Sequence, residues 1–548
     1  MPEYLSPGVY VEEANTDARS LQGVSTTTVG FVGQTIRGPL RPLLITNWME
    51  FQHWYGGFTD PARQQGYLPH AVKGFFDNGG QRAFVARLPV DGQPEGRGAI
   101  GTSPLAAAAI GPGAWAKSVM VKVTKASLHS EKRSWLAFSV FYYEGLIPMA
   151  DGKFLDPDDP DHRIKPGFRA PALSERFDNV SGDPDSPNYY GVQVNPASRL
   201  ITLGAAAGAE AAAIAEWFKG SFKAPNAPPI HAPLTVPEPA AETVPKFESY
   251  GFQRYLGNDK GPSEQHTGLA ALATIPEIAM LCVPDQALPA LAKLTDPMIQ
   301  HCENLRSRIA ILGAGPDADV NALRPPSDTS FGACYFPWIT IVDPRTNAPL
   351  SVPPTGHVAG MIARTDISRG VWKAPANESL IGPIIQDLGG LSPLSYKVTD
   401  AVQGVLNPRG VNCLRDFRDI GRGVRVWGAR TMSSDSRWRY LNVRRLFIYV
   451  EQSIFYGTQW VVFEPNNPYT WNQVVSSVSG FLNTLWHNGG LMGATPEEAF
   501  AVRCDRTTMT QDDIDSGRLV CTVAIAPLKP AEFVIFRVSQ KTAGAQRN

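Results

Sequence analysis

The sequence is poor in cysteine, in charge of one sign and in long apolar runs, and each shortage excludes a class of protein. Six cysteines are scattered over 548 residues with no C-x-x-C pair or metal-binding spacing: Cys282, Cys302, Cys334, Cys413, Cys504 and Cys521. This scatter argues against a disulfide framework or a zinc site. It indicates buried thiols of a protein made in a reducing cytoplasm.

The charges nearly cancel, with a formal net charge of -1, so the whole chain has no electrostatic attraction for nucleic acid or an anionic membrane. The most apolar runs, 446–450 and 520–526, are far shorter than the ~20 residues that span a bilayer. Near the start, Glu3 and Pro7 stand where a signal peptide carries lysines and an apolar stretch. We therefore expect no membrane insertion, and release from the cell by a route such as lysis.

Motifs of catalysis are scarce as well. Gly313-Ala314-Gly315 follows a predicted strand, but Pro316 and the missing third glycine indicate a turn rather than a dinucleotide site. His301, Cys302 and His357 lack a spaced third ligand or an orienting group. No Walker sequence or nucleophile elbow occurs. The sequence predicts neither an enzyme nor a cofactor or metal site.

The composition that remains is that of a folded protein, with 43% hydrophobic and 18% charged residues. Alternating helix and strand patterns predict an α+β and α/β multidomain fold in which helices cover sheets. A chain of this length normally divides into several domains. The predicted order is an extended arm over 1–22, a middle α/β domain over 23–94 and 253–397, an inserted, largely β outer domain over 95–252, a C-terminal inner domain over 398–530, and an arm strand with a tail over 531–548.

In the first half we predict a strand over 27–32, a helix over 48–55 capped by Asn47, a helix over 68–77 and a strand over 82–88. The insertion carries predicted strands at 119–123 and 135–143. The acidic, proline-rich run 156–161 and the stretch 224–245 have the composition of exposed loops. We expect 203–246 as a whole to be flexible.

In the second half we predict strands over 277–283, 308–312 and 334–342, with a helix over 287–304. Two amphipathic helices follow residue 398. Their apolar positions repeat every 3.6 residues: Val443, Leu446, Phe447, Val450 and Ile454 in one, and Trp471, Val474, Val475, Val478, Phe481, Leu482 and Leu485 in the other. Alternating residues predict two final strands, over 519–526 and 533–538.

Several ordered motifs lie along the chain. The first is Tyr4-Leu5-Ser6-Pro7-Gly8-Val9-Tyr10-Val11-Glu12-Glu13. Another runs from Pro354-Thr355-Gly356-His357 through Arg364-Thr365-Asp366 to Arg369-Gly370-Val371-Trp372. Two more are Gly428-Ala429-Arg430-Thr431 and Phe463-Glu464-Pro465-Asn466. In this order the motifs resemble the contractile tail sheath family, which occurs in phage tails, R-type pyocins and extracellular contractile injection systems, and such matches are spread over most of the chain outside 203–246.

The resemblance implies a structural subunit that stacks as hexameric rings around an inner tube and contracts to drive the tube through a target envelope. The implied partners are other copies of the chain, the inner tube protein, baseplate and terminal cap proteins, and, as an open question, paralogous sheath proteins. Assembly would take place in the bacterial cytoplasm, before the subunit becomes part of a virion tail or a released particle. The alternative is a particle-associated binding module whose inserted domain recognises a surface glycan.

In this family the two ends of a subunit add strands to neighbouring subunits, and an unpaired sheet edge is a ready template for such addition. The resemblance therefore implies arm strands at Gly8, Val9, Tyr10, Val11 and Glu12 and at Phe533, Val534, Ile535 and Phe536. The acceptor strand would contain Leu519, Val520, Cys521, Thr522 and Val523.

Two further contacts are expected. Ten arginines and three aspartates lie in 407–445. This pattern is typical either of a solvated face with local ion pairs or of an interface with acidic patches on neighbouring subunits, with nucleic acid a weaker third choice. The interface candidates are Arg409, Arg415, Arg418, Arg422, Arg425, Arg444 and Arg445. By analogy with the family, the inner tube would contact the polar face of the helix from residue 471, at Asn472, Gln473, Ser476 and Asn483.

Overall fold

The computed structural model describes residues 21–63, 65–89, 95–130, 133–206, 208–222, 224, 227–237, 247–384 and 392–535. Contacts among these residues divide the chain into two units. The large unit contains Thr26–Ser368 and Pro375–Leu441, and the small unit contains 21–25, 369–374 and 442–535. This division falls after Leu441, whereas the predicted C-terminal inner domain begins at residue 398.

The large unit begins with a short α/β segment whose local signals were strong. Its elements are β1 (Val29–Thr35), β2 (Leu43–Ile45), α1 (Trp48–Tyr55), α2 (Leu68–Asp77) and β3 (Ala83–Pro89). Both predicted helices are confirmed at their bounds. The Asn47 side chain accepts a hydrogen bond from the Glu50 amide, and Gly56 ends α1 with a φ of 88°, so cap and stop signals located this helix correctly.

The insertion is built from strands and short helices. They are β4 (Glu95–Ala99), β5 (Leu105–Pro112), β6 (Val119–Lys125), β7 (Leu136–Tyr142), β8 (Met149–Ala150), β9 (Lys153–Phe154), α3 (Pro160–Arg163), β10 (Leu173–Val180), α4 (Tyr190–Gln193), β11 (Ile201–Ala205), α5 (Ala211–Gly220) and β12 (Ile230–Pro233). A four-stranded sheet in the order β10-β7-β6-β12 and a three-stranded sheet in the order β11-β5-β4 share one apolar core. The largely β character is as predicted.

The prediction of a flexible segment over 203–246 is wrong for the residues that the structure describes. Helix α5 buries Ile214 and Phe218, and β12 pairs with β6 along Ile230↔Val123 to Pro233↔Met120. The segment is rich in alanine and proline, so its composition resembled a loop. Its order comes from strand pairing with residues a hundred positions earlier, which local pattern does not reveal.

The predicted solvated loop at 156–161 is also wrong in part, because Asp156 is only 5% exposed. The Lys122 Nζ lies 2.6 Å from an Asp156 carboxylate oxygen and 3.0 Å from one of Asp158. Burial alone would raise the pKa of Asp156, but hydrogen bonds from His231 and Lys122 outweigh it and hold this pKa below its usual range. The run supplies a buried ion-pair cluster.

The remainder of the large unit returns to alternating helices and strands. The elements are α6 (Phe247–Leu256), α7 (Gly268–Ala273), β13 (Met280–Cys282), α8 (Thr295–Leu305), β14 (Ile309–Gly313), β15 (Gly332–Phe336), β16 (Ile339–Val342), β17 (Pro349–Val352), α9 (Thr355–Arg369), β18 (Glu378–Ser379), α10 (Asp400–Leu406), β19 (Val411–Asp416) and β20 (Val424–Val426). The single strand predicted over 334–342 is two strands, since Pro337 has no amide for the ladder. The helix predicted over 287–304 begins at Thr295, after a 3-10 turn at Pro289–Leu294.

A nine-stranded sheet organises the large unit, in the order β18-β20-β19-β15-β14-β13-β1-β3-β2. Strands β3, β1, β13, β14, β15 and β19 are parallel, and the outermost strands on both sides are antiparallel. All seven residues of β1 are buried, as expected for a sheet covered on both faces. The predicted helix-covered sheet is confirmed.

The small unit is a helical layer with a short β hairpin. Its elements are α11 (Leu441–Gly457), α12 (Pro468–His487), α13 (Pro496–Ala499), β21 (Phe500–Arg503), α14 (Gln511–Asp515) and β22 (Thr522–Ile525). Leu446, Val450, Val478 and Leu482 form its core. Most of the predicted apolar stripe is buried, although Phe447, Ile454 and Val475 are half-buried. No helix among the described ranges is long and apolar enough to cross a membrane.

Candidate assembly surfaces

Strands β21 and β22 form a two-stranded antiparallel sheet on the small unit, with Phe500 opposite Ile525 and Arg503 opposite Thr522. Alternate residues face the core, as the period of a strand requires. Phe500, Val502, Val523 and Ile525 pack on the α11–α12 layer. Ala501, Arg503, Thr522 and Ala524 point outward. The sheet is therefore anchored by one face and open on the other.

The outer edges of this sheet are open along both strands. Over the ranges that the structure describes, no third strand pairs with β21 or β22. Just beyond β22, the Met492 amide donates to the Ala526 carbonyl at 2.8 Å. An open edge presents main-chain N–H and C=O groups in the spacing that another strand needs. The hairpin is thus a candidate acceptor on either side.

The predicted acceptor strand begins three residues too early. Thr522 and Val523 belong to β22, whereas Leu519, Val520 and Cys521 lie before it. The Thr508 hydroxyl donates to the Val520 carbonyl at 2.8 Å, so this carbonyl is bonded to a side chain from 12 residues away. The strand propensity of residues 519–521 led to the early start of the predicted strand. In the structure, the hydrogen bond from Thr508 occupies the Val520 carbonyl, and β22 begins after it.

Three consecutive apolar residues of the predicted C-terminal arm lie in solvent. Phe533, Val534 and Ile535 are 73%, 70% and 79% exposed and belong to no strand. Phe536 and the N-terminal arm residues Gly8 to Glu12 lie outside the described residues. A run of exposed apolar side chains is typical of a segment whose binding partner is another molecule.

The described end of the N-terminal arm lies on the small unit. Leu21 is 9% exposed within the core of that unit, and a Cβ added to Gly457 would lie 1.6 Å from a Leu21 methyl carbon. The Val24 amide donates to the Ser453 hydroxyl at 3.1 Å. Residues 21 to 24 are therefore fixed against α11.

A second exposed apolar set joins α11 to α12, and the sequence reasoning did not assign it a role. Its members are Phe455, Tyr456, Val462, Phe463 and Tyr469, with exposed fractions from 46% to 103%. The sequence contains a signal for part of this set. Leu446, Val450 and Ile454 repeat every four residues and mark the buried face of α11, and Phe455 and Tyr456 fall on the opposite face.

The polar face proposed to contact a tube is placed on the outside of α12. Asn472 and Ser476 are exposed, while Gln473 and Asn483 are half-buried. The Asn467 side chain accepts the Thr470 amide at 3.0 Å and caps the start of the helix. The structure places these side chains where a partner could reach them, and the contact itself stays a prediction.

The arginine set of 407–445 divides into buried and accessible members. Arg444 and Arg445 are 8% and 4% exposed, so little of either side chain is open to a partner, and their contact with a neighbouring subunit stays a prediction. Arg415 lies 2.7 Å from Asp400 and Arg418 lies 2.9 Å from Asp416. These two pairs agree with the alternative of local ion pairs.

Three further arginines, Arg409, Arg422 and Arg425, bind main-chain and amide groups. Arg409 donates to the carbonyls of Val320, Asn321 and Leu323. Arg425 donates to the Asn377 carbonyl at 2.6 Å, and Arg422 donates to the Asn377 side chain at 3.2 Å. Because carbonyls do not neutralise a guanidinium, this face keeps positive charge after its local hydrogen bonds are made.

Arg409 also lines a basic cavity of about 290 Å³ in the large unit. Four arginines line it: Arg324, Arg409, Arg430 and Arg439. Its lining carboxylate, Asp328, accepts hydrogen bonds from the amide and hydroxyl of Ser434. The cavity therefore has an excess of positive charge. Across the described residues, no three His, Cys, Asp or Glu side chains are grouped so that they could hold a metal ion.

Comparisons with known proteins agree with this architecture. A family model described as the phage tail sheath protein central domain matches residues 263–432, and one described as the phage tail sheath C-terminal domain matches 433–541. The tail sheath protein of Burkholderia phage BcepMu is 28% identical over 228 residues, which are 41% of this chain and 45% of that protein.

A putative prophage major tail sheath protein of Pseudomonas aeruginosa strain UCBPP-PA14 is 26% identical over 202 residues, which are 37% of this chain and 49% of that protein. The chain thus spans about half the length of these curated relatives.

Two solved structures share the fold over nearly the whole chain. One is a chain of the anti-feeding prophage baseplate, with a TM-score of 0.53 and 22% identity, covering 98% of this chain and 100% of the other. The other is a chain of the sheath complex of an extracellular contractile injection system, PVC, in the contracted state. Its TM-score is 0.53 at 22% identity, with 99% of each chain covered. At this identity the likeness concerns the fold.

Proposed function

Because the chain belongs to the contractile tail sheath family, we propose that it polymerises as stacked hexameric rings around an inner tube and contracts to drive that tube through a target cell envelope. The family is one of structural proteins and not of enzymes. The observation that supports the proposal is the presence of two complementary features on the small unit. One is a two-stranded sheet whose outer edges are unpaired among the described residues, and the other is a C-terminal arm with exposed apolar side chains.

Strand addition would join the arm of one copy to the sheet of another. The arm from residue 533 of one copy would lie along an open edge of β21–β22 in another, and the N-terminal arm of a third copy would take the other edge. Main-chain hydrogen bonds would supply most of the affinity, and alternate arm side chains would enter the apolar core side. A copy that both donates and accepts strands links its neighbours into a continuous lattice.

Burial of the arm supplies a driving force of useful size. Each of Phe533, Val534 and Ile535 is at least 70% exposed. Covering one such side chain contributes about 1.5–3 kcal/mol. A strand exposes alternate residues to opposite faces, so about two of the three would be fully covered. The gain of about 3–6 kcal/mol per arm would offset the entropy of ordering the segment.

Charged contacts would be the adjustable part of the lattice. Arg415 and Arg418 are paired with carboxylates of their own chain, and exposed ion pairs exchange partners at a cost of about 1 kcal/mol or less. The basic cavity is suited to an acidic side chain of a neighbouring copy. Such pairs can change between an extended and a contracted state while the strand contacts persist.

The inner tube would meet α12 and the loop before it. Asn472 and Ser476 offer hydrogen bonds, and the exposed set of Phe455, Tyr456, Val462, Phe463 and Tyr469 offers apolar area. We propose baseplate and terminal cap proteins as partners at the two ends of the sheath. Assembly would occur in the bacterial cytoplasm, before release as a tail or particle.

Negative-stain microscopy of the purified full-length chain tests the proposal. We expect hollow tubes of stacked rings. A variant that ends at residue 532 should stay folded by circular dichroism and form no tubes. A full-length Leu146→Asp variant is the matched control, because Leu146 is an exposed apolar residue of the insertion, 84% exposed, and it should still form tubes. Tubes formed as readily by the truncated chain would contradict the role of the arm.

A further inference from the structure

Two cysteines stand opposite each other at one end of the candidate acceptor sheet. The register of β21 and β22 pairs Arg503 with Thr522, so the next pair outward is Cys504 and Cys521. Directly opposite residues of antiparallel strands have Cα atoms about 4.5–5.5 Å apart and side chains on the same face. This spacing lies within the roughly 4.4–6.8 Å range of disulfides.

The side chains of this pair meet in the structure. The two thiols lie within hydrogen-bond reach of each other, and both are free. They pack against Trp471 and Met509 in one small apolar cluster. Cys504 is 5% exposed, whereas Cys521 is half-buried. Cys521 is therefore the more exposed residue of the pair, and we assign it the first contact with a small reagent.

The other cysteines on neighbouring strands do not share this arrangement. Cys334 on β15 pairs in register with Val411, and Cys413 on β19 pairs with Phe336, so the two are offset by two residues. Both are buried, at 3% and 0% exposure. A small reagent does not reach them in the folded protein. Cys334 and Cys413 therefore provide an internal comparison.

We propose that Cys504 and Cys521 form a redox-responsive pair, reduced where the chain is made and joined by a disulfide after exposure to a small-molecule disulfide such as oxidised glutathione. This pair is a modification site at the end of the β21–β22 hairpin. The bond would close the loop 505–520 and tie the two strands together beyond their last main-chain pair.

The chemistry is thiol–disulfide exchange in two steps. The Cys521 thiolate attacks one sulfur of the small disulfide, a mixed disulfide forms, and one small thiolate leaves. The Cys504 thiolate then attacks the Cys521 sulfur, the protein disulfide forms, and the second small thiolate leaves. The two protein thiols lose two protons and two electrons, and the small disulfide is reduced to two thiols.

Burial controls the rate of this exchange. It raises the pKa of the Cys504 thiol to about 11 and raises the pKa of Cys521 as well. The thiolate is the nucleophile, so little of the reactive form exists at neutral pH. We expect the initial rate to rise about tenfold between pH 7 and pH 8. The pair would therefore close slowly at neutral pH, even after exposure to the small disulfide.

Peptide mapping of the folded full-length chain tests the pair. After incubation with oxidised glutathione, acid quench and alkylation, digestion without reductant should give one linked peptide pair containing Cys504 and Cys521. Cys504→Ser and Cys521→Ser should each abolish it, and Cys334→Ser should leave it intact. Two separately glutathionylated or alkylated cysteines, with no linked peptide in the native chain, would overturn the proposal.

Hydrogen exchange tests the tie between the strands. Amides of 500–503 and 522–525 should exchange at least about tenfold more slowly in the oxidised chain, since opening of the hairpin then includes a closed loop. Cys504→Ser should show no difference between the two conditions. If the linked peptides form but the amides exchange at an unchanged rate, the disulfide does not stabilise the pairing of the two strands. Both measurements compare oxidised with reduced chain in the same state of assembly, so failure of the disulfide is distinguishable from failure of the proposed sheath.

Discussion

At the scale of single residues, the large unit contains polar groups whose burial was invisible in the sequence. His70 and His357 are 1% and 3% exposed. Both ring nitrogens of His70 and the Nδ1 of His357 lack a hydrogen-bond partner among the described residues. Burial lowers the pKa of His70 to about 4 and that of His357 to about 3. The surrounding charges are Lys73, Asp343 and Arg345.

These histidines predict a loss of stability in mild acid. Their folded pKa values lie below the unfolded value of about 6.5, so the unfolded chain binds more protons as the pH falls below that value. The free energy of unfolding should be constant above pH 6.5 and fall by up to about 1.4 kcal/mol per pH unit for each histidine below it. Urea titrations at pH 7.5, 6.0 and 5.0 measure this slope.

His357→Gln should be less stable at pH 7.5 and should show a shallower slope between pH 6.0 and pH 5.0. His487→Gln is the matched control, because His487 is exposed at the end of α12, and its slope should equal that of the native chain. A native chain with equal stability at pH 7.5 and 5.0 would contradict the role of the buried rings.

The buried ion pair of the insertion predicts that removal of one charged side chain lowers the stability of the protein strongly. Lys122→Met would leave the Asp156 carboxylate buried without the ammonium that lies 2.6 Å away. Removal of one partner of a buried pair costs about 3 kcal/mol or more. We expect a clearly lower urea midpoint for this variant. Lys125→Met on the exposed end of the same strand should change stability by about 0.5 kcal/mol or less.

At the scale of elements, glycines decide how two helices of the large unit pack. A Cβ added to Gly356 would lie 2.2 Å from the Ala71 carbonyl oxygen, and one added to Gly360 would lie 2.2 Å from the Phe75 carbonyl oxygen. Both glycines are on α9 and both carbonyls on α2. The spacing Gly356-x-x-x-Gly360 places them on one face, so the helix backbones touch there.

Gly360→Ala should therefore destabilise the large unit. Alanine would gain about 1 kcal/mol of helix propensity, but overpacking against a rigid backbone costs about 1–3 kcal/mol and more when nothing can shift. We expect a net loss in the urea midpoint. Gly404→Ala on α10 is the control, because no atom lies within 4 Å of the added Cβ, and it should stabilise by about 0.5–1 kcal/mol. Equal gains in both variants would disprove the close packing.

At the scale of the whole molecule, the proposed lattice requires every copy to both donate and accept strands. A chain that ends at residue 532 keeps β21 and β22 but loses the apolar arm. It should join a growing sheath as an acceptor and offer no arm to the next copy. Mixed with intact chains, it should shorten the sheaths in proportion to its fraction.

Length distributions from negative-stain images of mixtures at fixed total concentration measure this effect. Leu146→Asp chains mixed in the same ratios should leave the distribution unchanged. Sheaths of undiminished length with a large fraction of truncated chains would show that the arm is dispensable for growth. The comparison distinguishes a donor defect from misfolding, because a misfolded chain would stay out of the sheath and act only by lowering the concentration of intact chains.

Elements with local signals were predictable. Helix α1 is capped by Asn47 and ends at Gly56, and α2 has a proline in its first turn and ends at Asn78, so their bounds followed from sequence. The order of family motifs likewise identified the family. The strand at 230–233 was missed because its partner is β6, and the start of β22 was misplaced because Thr508 captures the Val520 carbonyl.

Charge was the least reliable guide to the candidate surfaces. Arg444 and Arg445 were placed on a surface and are buried, and the acidic run at 156–161 supplies Asp156 to the interior. A charged side chain is most stable in water unless a partner meets it inside. The partner comes from elsewhere in the chain, so a window of sequence does not contain the information.

The amino-acid order by itself determined the mixed α/β class, the cap-bounded helices, the family and the apolar character of the C-terminal arm. These depend on periodicity, capping and composition, which act over a few residues. The tertiary structure alone decided the open edges of β21 and β22, the buried charges, the contact of α9 with α2 and the meeting of Cys504 with Cys521. Each depends on which distant segments pack together, since burial and pairing are properties of the assembled core and not of any one segment.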